Sequence, residues 1–468
     1  GSYTSYRRQQ AEGWQLNPYE ENSKTHELEE TGKVASTGFY ANTVNQKFTF
    51  DATDKLSFYA RGGYYDNKTR RPYEAYDYNI LHETFNYGIG AQYMINKGNY
   101  ITADCYADHF SSSYCFFKDN KTYNGKAGEE QVRKRTRNHN LSIKGIFKLG
   151  NRHKLSVGTE YIVDVLKSQT DNIAKEDAYT LALFAQDEIK LLRNLQALIG
   201  VRYIYHENFK NHVTPNVALM YKPGKFNFRA SYAAGFRTPT LSELYATDIA
   251  KKNDRLTIGN LDLKSEKNNY FSLSAEYVHE RFSVSVNAFY NNIRDMIDYN
   301  TIATGDKAME QYGHKEVRQR DNIAEAKVHG INVSANAYLG AGFNLSGGYT
   351  HLNTQDVELE QPIDKSIKNA YNINAQWAHS WKIYRLNINL NGRINSKRFS
   401  KSYGYAPEYQ LWNLNTRHSF NLKSVIIEPG CGMENLFDYM DDRPYNSNYA
   451  TLTPGRSFYI SLSLKFKS

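Results

Sequence analysis

Apolar and polar residues alternate along most of this 468-residue chain, with the period of two that a half-buried β-strand requires. In the stretch RSFYISLSLKF, near the end of the sequence, every second side chain is apolar from Phe458 to Phe466. The stretches KFNFRASY at 225–232 and RFSVSVNAFY at 281–290 follow the same pattern. Each of these segments therefore has one apolar face and one polar face.

About twenty segments of this kind follow one another from end to end of the chain. Many are longer than the roughly five or six residues usual in soluble sheets, and such lengths suit a tilted strand that crosses a bilayer. The predicted strands are 2–10, 34–50, 55–66, 79–96, 99–117, 131–148, 153–169, 177–191, 194–207, 212–222, 225–235, 265–279, 281–297, 320–338, 341–356, 366–380, 382–398, 408–422, 424–437 and 456–467.

The connections alternate between tight turns and long loops over most of the chain. Tight turns are predicted at 51–54, 97–99, 150–152, 223–224, 280–281, 340–341 and 423–424, and long loops at 11–33, 67–78, 118–131, 236–264, 298–319 and 438–455. Short periplasmic turns and long extracellular loops are typical of an outer-membrane barrel. A soluble propeller would need a blade-length repeat and a sandwich would need Greek-key connections, and neither pattern is found. The sequence predicts an all-β fold, a transmembrane antiparallel up-and-down β-barrel.

Composition agrees with this prediction. The mean hydropathy is −0.70, and no apolar run approaches the roughly 18 to 20 residues of a membrane helix, which excludes a helical membrane protein but not a barrel. Many of the 39 tyrosines are expected to form girdles at the membrane interfaces. The net charge of +9 comes from dispersed residues with no nucleic-acid motif, so no nucleic-acid partner is expected. With no linker or repeat, 1–468 is predicted to be a single domain.

Disulfide bonds are not expected to organise the fold. Cys105, Cys115 and Cys431 are too few for a disulfide framework. Cys105 and Cys115 lie ten residues apart on one predicted strand, which is too far for a bridge. A hairpin between them would bring them close, but the favoured interpretation is free thiols that act as small apolar residues.

Four motifs connect the chain with a known family. AAGFRTPTLSELYA at 233–246 resembles the mid-barrel signature of TonB-dependent outer-membrane receptors, in which Gly-Phe-Arg-x-Pro leads into Leu-x-Glu-Leu-Tyr. IGNLDLKSEKNNYFSLSAEY at 258–277 resembles the Gly-Asn-Pro-x-Leu-x-x-Glu box, with Leu261 in place of the usual proline. MENLFDYMDDRPYN at 433–446 and PGRSFYISLSLKF at 454–466 resemble the Asn-Leu-Phe-Asp box and the terminal strand. The four occur in the family's order over the last half of the chain.

The first of these motifs has a physical explanation. Pro239 cannot donate to a strand ladder and ends the strand. Thr240 and Glu243 have the spacing of a capping box, which predicts a helical turn. Arg237 follows the strand directly and could hold the loop through paired contacts to carboxylate or carbonyl groups. Arg237 and Tyr245 are also candidates for ligand contact, with a purely structural role as the alternative.

The resemblance implies a 22-stranded barrel with an N-terminal plug folded inside it. YRRQQAEGWQ at 6–15 resembles the family's third strand, so the plug, the TonB-contacting segment and the first hairpin are expected to be missing from this chain. The implied function is import: an outer-membrane receptor binds haem, a ferric siderophore, cobalamin or a similar scarce ligand and imports it with TonB-coupled energy. The implied partners are the TonB complex, the plug domain, outer-membrane lipids and a surface lipoprotein.

Other functions remain as alternatives. A passive outer-membrane pore or a structural barrel would share the same strand pattern. A barrel enzyme is disfavoured because the sequence has no Gly-x-Ser-x-Gly elbow and no spacing that picks out a catalytic triad. The chain is therefore expected not to be an enzyme, and no cofactor is expected.

Candidate ligand contacts lie in the predicted outer loops. Arg70, Arg71, Tyr73, Tyr76 and Tyr78, in TRRPYEAYDY, form a plausible aromatic and cationic contact for a planar or anionic ligand, with girdle or loop packing as the alternative.

Histidines and aspartates supply weaker candidates. His206 and His212 flank the short loop HENFKNH and could ligate iron or another metal, or could be ordinary surface residues. No histidine occurs in 246–260, which argues against one mode of haem ligation known in the family. Asp438, Asp441 and Asp442 could bind calcium but lack the spacing of a known calcium loop, so no metal site is predicted.

Overall fold

The structure is a computed structural model that describes residues 1–22, 25–250, 254–401, 404–441, 443 and 453–466. Strands dominate this part of the chain, and its two helices contain five and eight residues. No helix in the described ranges has the length and apolar character needed to span a membrane.

The elements are β1 (Ser2–Ala11), β2 (Tyr19–Glu21), β3 (Leu28–Glu30), β4 (Gly38–Thr53), β5 (Leu56–Arg70), β6 (Tyr78–Asn96), β7 (Asn99–Phe116), β8 (Glu130–Leu149), β9 (His153–Ser168), β10 (Ile173–Leu192), β11 (Leu195–His206), β12 (Lys210–Tyr221), β13 (Phe226–Arg237), α1 (Leu241–Tyr245), β14 (Thr247–Ala250), β15 (Arg255–Ile258), β16 (Glu266–Val278), β17 (Phe282–Thr304), α2 (Gly305–Tyr312), β18 (Glu316–Gly340), β19 (Phe343–Asp356), β20 (Asn369–Trp381), β21 (Tyr384–Asn395), β22 (Arg398–Ser400), β23 (Gly404–Ala406), β24 (Tyr409–Asn421), β25 (Val425–Glu434) and β26 (Ser457–Phe466).

Twenty long strands form the wall of the barrel: β1, β4 to β13, β16 to β21 and β24 to β26. Each pairs antiparallel with the next in this order, which is an up-and-down arrangement. Every predicted strand corresponds to one of these, and the prediction of an antiparallel barrel with about twenty strands is confirmed. At one end of the barrel, all connections contain two to four residues. The other end carries the long loops, and we call it the loop end.

The register gives the barrel an apolar outer face. Ile89, Cys105, Leu141, Tyr161 and Leu181 lie in one row across five neighbouring strands, and all five are exposed. Because side chains alternate between the two faces of a strand, the intervening positions point into the lumen. A contiguous apolar band of this kind on the outer face of a barrel indicates contact with lipid.

The lumen is lined by polar side chains. Asn374, Asn391 and Asn413 form a row across β20, β21 and β24, and the Asn374 amide donates a hydrogen bond to Asn391. These three positions alternate with apolar outward positions on the same strands, such as Leu390 and Leu414. The wall therefore has a wet inner face and an apolar outer face, as the sequence pattern predicts.

Aromatic side chains border the apolar band. Near the short turns, Trp377, His379, Trp381, Tyr384 and Phe420 form a contiguous outer belt, with ring centroids 4.4 Å apart for His379 and Trp381 and 5.5 Å apart for Trp381 and Tyr384. Nearer the loop end, the Tyr179 and Tyr205 rings lie 6.1 Å apart. Such belts place the membrane interfaces at two levels of the wall.

The predicted long loop at 298–319 is wrong in part, because the two strands continue into it. β17 extends to Thr304 and β18 begins at Glu316, so the hairpin projects beyond the barrel and ends in α2. Bulges between Ile293 and Ile297 bend the hairpin. The projecting part buries only a small apolar cluster, in which Ala303 and Val317 pack with Ala308 of α2. Its sequence therefore lacks the regular apolar alternation on which the prediction depended.

The other long loops also contain short elements. The connection after β1 includes the hairpin β2–β3, and the connection after β13 includes α1, β14 and β15. β15 runs parallel to the first residues of β18, which ties this loop to the projecting hairpin. Cys105, Cys115 and Cys431 are free thiols, as expected.

Candidate functional site

The first candidate residues lie in the loops at the loop end. The connections β5–β6 and β7–β8, at 71–77 and 117–129, are neighbours because β5 to β8 are consecutive in the wall. Arg70 ends β5 and Tyr78 begins β6, so the segment TRRPYEAYDY forms a complete loop between two strands.

The Arg71 guanidinium stacks on two of the candidate tyrosines. Its central carbon lies 4.6 Å from the ring centroid of Tyr76 and 4.9 Å from that of Tyr78. The Arg71 amide donates to the Asn79 side chain over 2.8 Å, which fixes the backbone at the strand entrance. Tyr78 in turn stacks on Tyr114 of β7, with 4.0 Å between centroids.

A second arginine stacks on the far side of this tyrosine array. The Arg133 guanidinium lies 5.3 Å from the Tyr114 ring and 5.0 Å from the Tyr123 ring. Tyr123 also meets Tyr114 edge-on at 5.2 Å. Burial, and the proximity of the Tyr78 hydroxyl, raise the pKa of Tyr123, so its ring remains neutral at physiological pH. We call this set the mouth cluster; it comprises Arg71, Tyr76, Tyr78, Tyr114, Tyr123 and Arg133.

The strand register places two rings of the mouth cluster on the lumen side. On β6, Tyr78 lies on the same face as Asn86 and on the opposite face from the outward Tyr87. On β7, Tyr114 lies on the same face as Asp108, which pairs with Asn86. Arg133 Nη1 donates to the neutral Gln169 side chain over 2.8 Å, and no carboxylate among the described residues pairs with its charge. The mouth cluster therefore offers positive charge and aromatic faces to a ligand that enters from the loop end.

Arg70 and Tyr73 lie beside the mouth cluster and not within it. Arg70 Nη2 donates to the Glu12 carboxylate over 2.6 Å, so its charge is already paired. Tyr73 stacks on Phe117 at 5.4 Å, and the Lys118 ammonium lies 3.7 Å from its ring centroid. The Tyr73 side chain is 59% exposed, which leaves it accessible at the rim.

Arg237 holds the loop after β13. Its guanidinium makes two hydrogen bonds to Glu266, at 2.6 and 2.9 Å, and two to Glu243, at 2.9 and 3.2 Å. Thr240 and Glu243 form the expected capping box at the start of α1. Burial disfavours the ionised form of Glu243, but hydrogen bonds from Arg237 and Thr240 outweigh this effect and lower its pKa. The structure thus gives Arg237 the role of a loop anchor.

Tyr245 contributes to the packing of the same loop. It contacts the small apolar cluster of Leu244, Leu263 and Ile297. Burial, followed by the charges of Glu176 and Glu207, raises the pKa of its hydroxyl.

His206 and His212 lie close together, but each ring has its own contacts. His206 is 8% exposed, accepts a hydrogen bond from the Asn208 amide at 3.1 Å and packs on Phe209. His212 stacks on Phe236 at 4.3 Å, and its Nε2 lies 3.3 Å from the Ser265 hydroxyl. In the part of the chain that the structure describes, no group of three or more His, Cys, Asp or Glu side chains could hold a metal ion.

Two residues of the aspartate group have other partners. Asp438 accepts a hydrogen bond from the Arg456 amide at 2.7 Å. Asp441 pairs with the Arg443 guanidinium at 2.6 and 2.8 Å. Asp442 lies outside the described residues.

Sequence reasoning missed half of the mouth cluster. Tyr114 and Arg133 belong to β7 and β8, and Tyr123 lies in the loop between them. These residues are 36 or more positions from Tyr78 in sequence, so only the strand register brings them together. A usable signal was the position of Tyr114 on the polar face of a predicted strand, beside a predicted outer loop.

The chain matches a family model over most of its length. That model, described as the β-barrel of TonB-dependent receptor-like proteins, matches residues 2–435. Among individual proteins, the ferric enterobactin receptor of Pseudomonas aeruginosa is 23% identical over 372 residues, which cover 68% of this chain and 49% of that protein. The chain therefore spans about half the length of this relative.

Solved structures share the fold. A mutant of the ferric enterobactin receptor PfeA from Pseudomonas aeruginosa superposes with a TM-score of 0.81 at 16% identity, covering 99% of this chain and 76% of the other. The siderophore receptor PirA from Acinetobacter baumannii gives a TM-score of 0.75 at 14% identity, with coverages of 99% and 75%. At such identities the likeness shows the fold alone. The family match is decisive: the chain belongs to the TonB-dependent receptor β-barrel family, which comprises outer-membrane receptors and transporters and not enzymes.

Proposed function

We propose that this barrel belongs to a receptor that imports an anionic ferric siderophore with aromatic chelating groups. The mouth cluster carries this proposal, because it combines two guanidinium groups with four tyrosine rings at the loop end, two of them on the lumen side. Ferric enterobactin, which the Pseudomonas relative is named for, is a ligand of this class.

The chemistry of such a ligand fits the mouth cluster. A ferric catecholate complex carries negative charge on the oxygens around the iron, and its rings present flat edges and faces. Arginine donates hydrogen bonds to such oxygens in a planar fork, and tyrosine stacks against the rings. A neutral ferric hydroxamate would lose the charge and the stacking together, so we expect selectivity between the two classes.

Energy for import is proposed to come from TonB. Family membership supports this step, and the plug domain would connect the TonB complex to the ligand inside the barrel. The polar lumen described above gives the ligand a wet route once the plug moves. A surface lipoprotein remains a further proposed partner.

Equilibrium binding tests the proposal. The complete receptor that contains this barrel is titrated with ferric enterobactin, a neutral ferric hydroxamate, haem and cobalamin, with quenching of intrinsic fluorescence as the signal. The double variant Arg71→Gln/Arg133→Gln is expected to weaken ferric enterobactin binding about 10- to 100-fold, because two stacked, charge-assisted contacts are lost.

Arg61→Gln is the matched control. Arg61 lies on β5, the strand that ends directly before Arg71. Its guanidinium lies 5.9 Å from the ring centroid of Tyr59 and 4.9 Å from that of Tyr106, away from the mouth cluster. Its loss should leave the affinity unchanged. Equal affinity of the double variant and the wild type for ferric enterobactin would contradict the proposed ligand. Tight binding of haem or cobalamin alone would replace it.

A further inference from the structure

We propose that the short-turn end of the lumen carries a second site for the imported anion, where the ligand is held weakly before its release. The inference rests on the proposed function for the identity of the ligand, and on the inner wall of β8 to β13 for the site itself. The site is a concave pocket of about 660 Å³, which lies within the usual size range of small-molecule sites.

Neighbouring rows of the wall form this pocket. Lys148, Lys154 and Glu188 are paired partners in one row across β8, β9 and β10. The next row connects Lys190 on β10 with Arg229 on β13 through one residue each of β11 and β12. We call the site the exit pocket and define it by five basic side chains and one carboxylate: Lys148, Arg152, Lys154, Glu188, Lys190 and Arg229.

The register places the exit pocket on the lumen side of the wall. Phe228 and Leu219 are exposed on the outer face, so Arg229 and Met220, which follow them directly, point into the lumen. Lys190 lies in the same row as Met220 and therefore also points inward. A ligand that travels through the barrel passes this surface.

Strand β8 connects the exit pocket with the mouth cluster. Arg133 lies near the start of this strand, at the loop end, and Lys148 lies near its other end. The two positions are about 50 Å apart along the strand. Since the short turns of an outer-membrane barrel are periplasmic, the exit pocket lies where an imported ligand leaves the lumen.

Most of the positive charge in the exit pocket is unpaired. Lys154 Nζ donates to the Glu188 carboxylate over 3.0 Å. Arg229 Nη2 contacts only the Met220 thioether, at 3.3 Å, and sulfur is a weak acceptor. In the described ranges, the four basic side chains other than Lys154 form no ion pair. The pocket therefore attracts a small anion.

The lining also indicates how strongly such an anion is held. Leu198, Ala218 and Met220 contribute an apolar floor, and none of the described lining residues is a tyrosine, phenylalanine or tryptophan. An aromatic chelate would find charge here but no ring to stack against, unlike in the mouth cluster. Binding should therefore be weaker than at the mouth, as release from the last site of a transport route requires.

Ligand stoichiometry tests the proposal. The full chain in detergent is dialysed against ferric enterobactin labelled with radioactive iron, and the bound iron is counted per chain. We expect one tight and one weaker site in the wild type. The variant Lys190→Gln/Arg229→Gln is expected to weaken the second site about tenfold, because two charge-assisted contacts are lost, and to leave the tight site unchanged. Arg71→Gln/Arg133→Gln should weaken only the tight site.

Arg385→Gln/Arg417→Gln is the matched control. These two arginines point into the lumen from β21 and β24 near the short turns, because they alternate with the outward Tyr384 and His418. The control removes the same charge from another part of the inner wall, and both sites should remain. Inorganic pyrophosphate, which has charge but no rings, is the second probe, and it should bind at the exit pocket and be lost in Lys190→Gln/Arg229→Gln.

The outcomes separate this inference from the proposed function. A single ferric enterobactin site that is lost only in the mouth variant would overturn the exit pocket and leave the proposed function intact. An equal loss of the second site in the control would also overturn it. Pyrophosphate binding without any ferric enterobactin binding would contradict the proposed ligand and support an anion site in the pocket. If the exit variant fails to fold, as judged by circular dichroism, Arg229→Gln alone is expected to weaken the second site.

Discussion

Arg237 anchors the long loop after β13 at the loop end of the barrel. It connects Glu266 on β16 with Glu243 on α1, and the two carboxylates are only 14% and 13% exposed. The capping box and the role of Arg237 were predictable because Thr240 and Glu243 lie within six residues of it. The contact with Glu266 was not predictable, because Glu266 is 29 residues away in sequence and reaches Arg237 only through the pairing of β13 with β16.

Removal of Arg237 is expected to loosen the loop. Arg237→Gln leaves two nearly buried carboxylates without their cation, but the arginine itself is 42% exposed, so solvent screening limits the loss to about 1–2 kcal/mol. The measurement is hydrogen exchange at the Leu244 and Ala246 amides, which should become faster. Arg294→Gln is the control, since its contact with Glu325 is 4.0 Å long and exposed, and it should have no effect.

The same contact makes the loop sensitive to acid. The folded-state pKa of Glu243 is lowered, so its stabilising contribution is complete above the ordinary value of 4.5 and is lost as the pH falls through the lower folded value. Titration of the Glu243 carboxylate should therefore leave the hydrogen-exchange rate of the Leu244 amide unchanged at neutral pH. The loss of protection at this amide should begin only below pH 4.5. Unchanged exchange in Arg237→Gln at neutral pH would contradict the anchoring role.

Among the elements, the barrel strands were predictable and their extensions were not. Strand β7 was predicted at 99–117 and is observed at 99–116, because apolar side chains meet lipid at every second position. Beyond the apolar band this constraint disappears. The ends of β17 and β18 therefore carry only a few buried apolar residues, such as Ala303 and Val317, and no regular alternation in 298–319 distinguishes strand from loop.

The alternation on β8 gives a direct test of which face meets lipid. Ile143 is outward and 45% exposed, and its neighbour Ser142 points into the lumen. Ile143→Arg is expected to destabilise the barrel by about 2–4 kcal/mol, because it places a charge in hydrocarbon. Ser142→Arg should change the stability little, because the lumen is wet. Urea unfolding in lipid vesicles compares the two, and equal losses would mean that the face assignment is wrong.

For the whole molecule, sequence established the architecture but only part of the site. The segment around Arg71 and Tyr78 stood out through its composition. Tyr114 and Arg133 join it only once β6, β7 and β8 are placed in register.

The most direct test of the central claim, a barrel embedded in lipid, uses the four tryptophans. Trp377, Trp381 and Trp412 lie on the outer face, and Trp14 lies in a long loop, where it pairs with Ser36. The chain is reconstituted into vesicles of lipid brominated along its acyl chains. Fluorescence of the Trp14→Phe variant should be strongly quenched relative to unbrominated vesicles, and a variant that keeps only Trp14 should be unaffected. Equal quenching of both variants, or none in either, would contradict the lipid-embedded barrel.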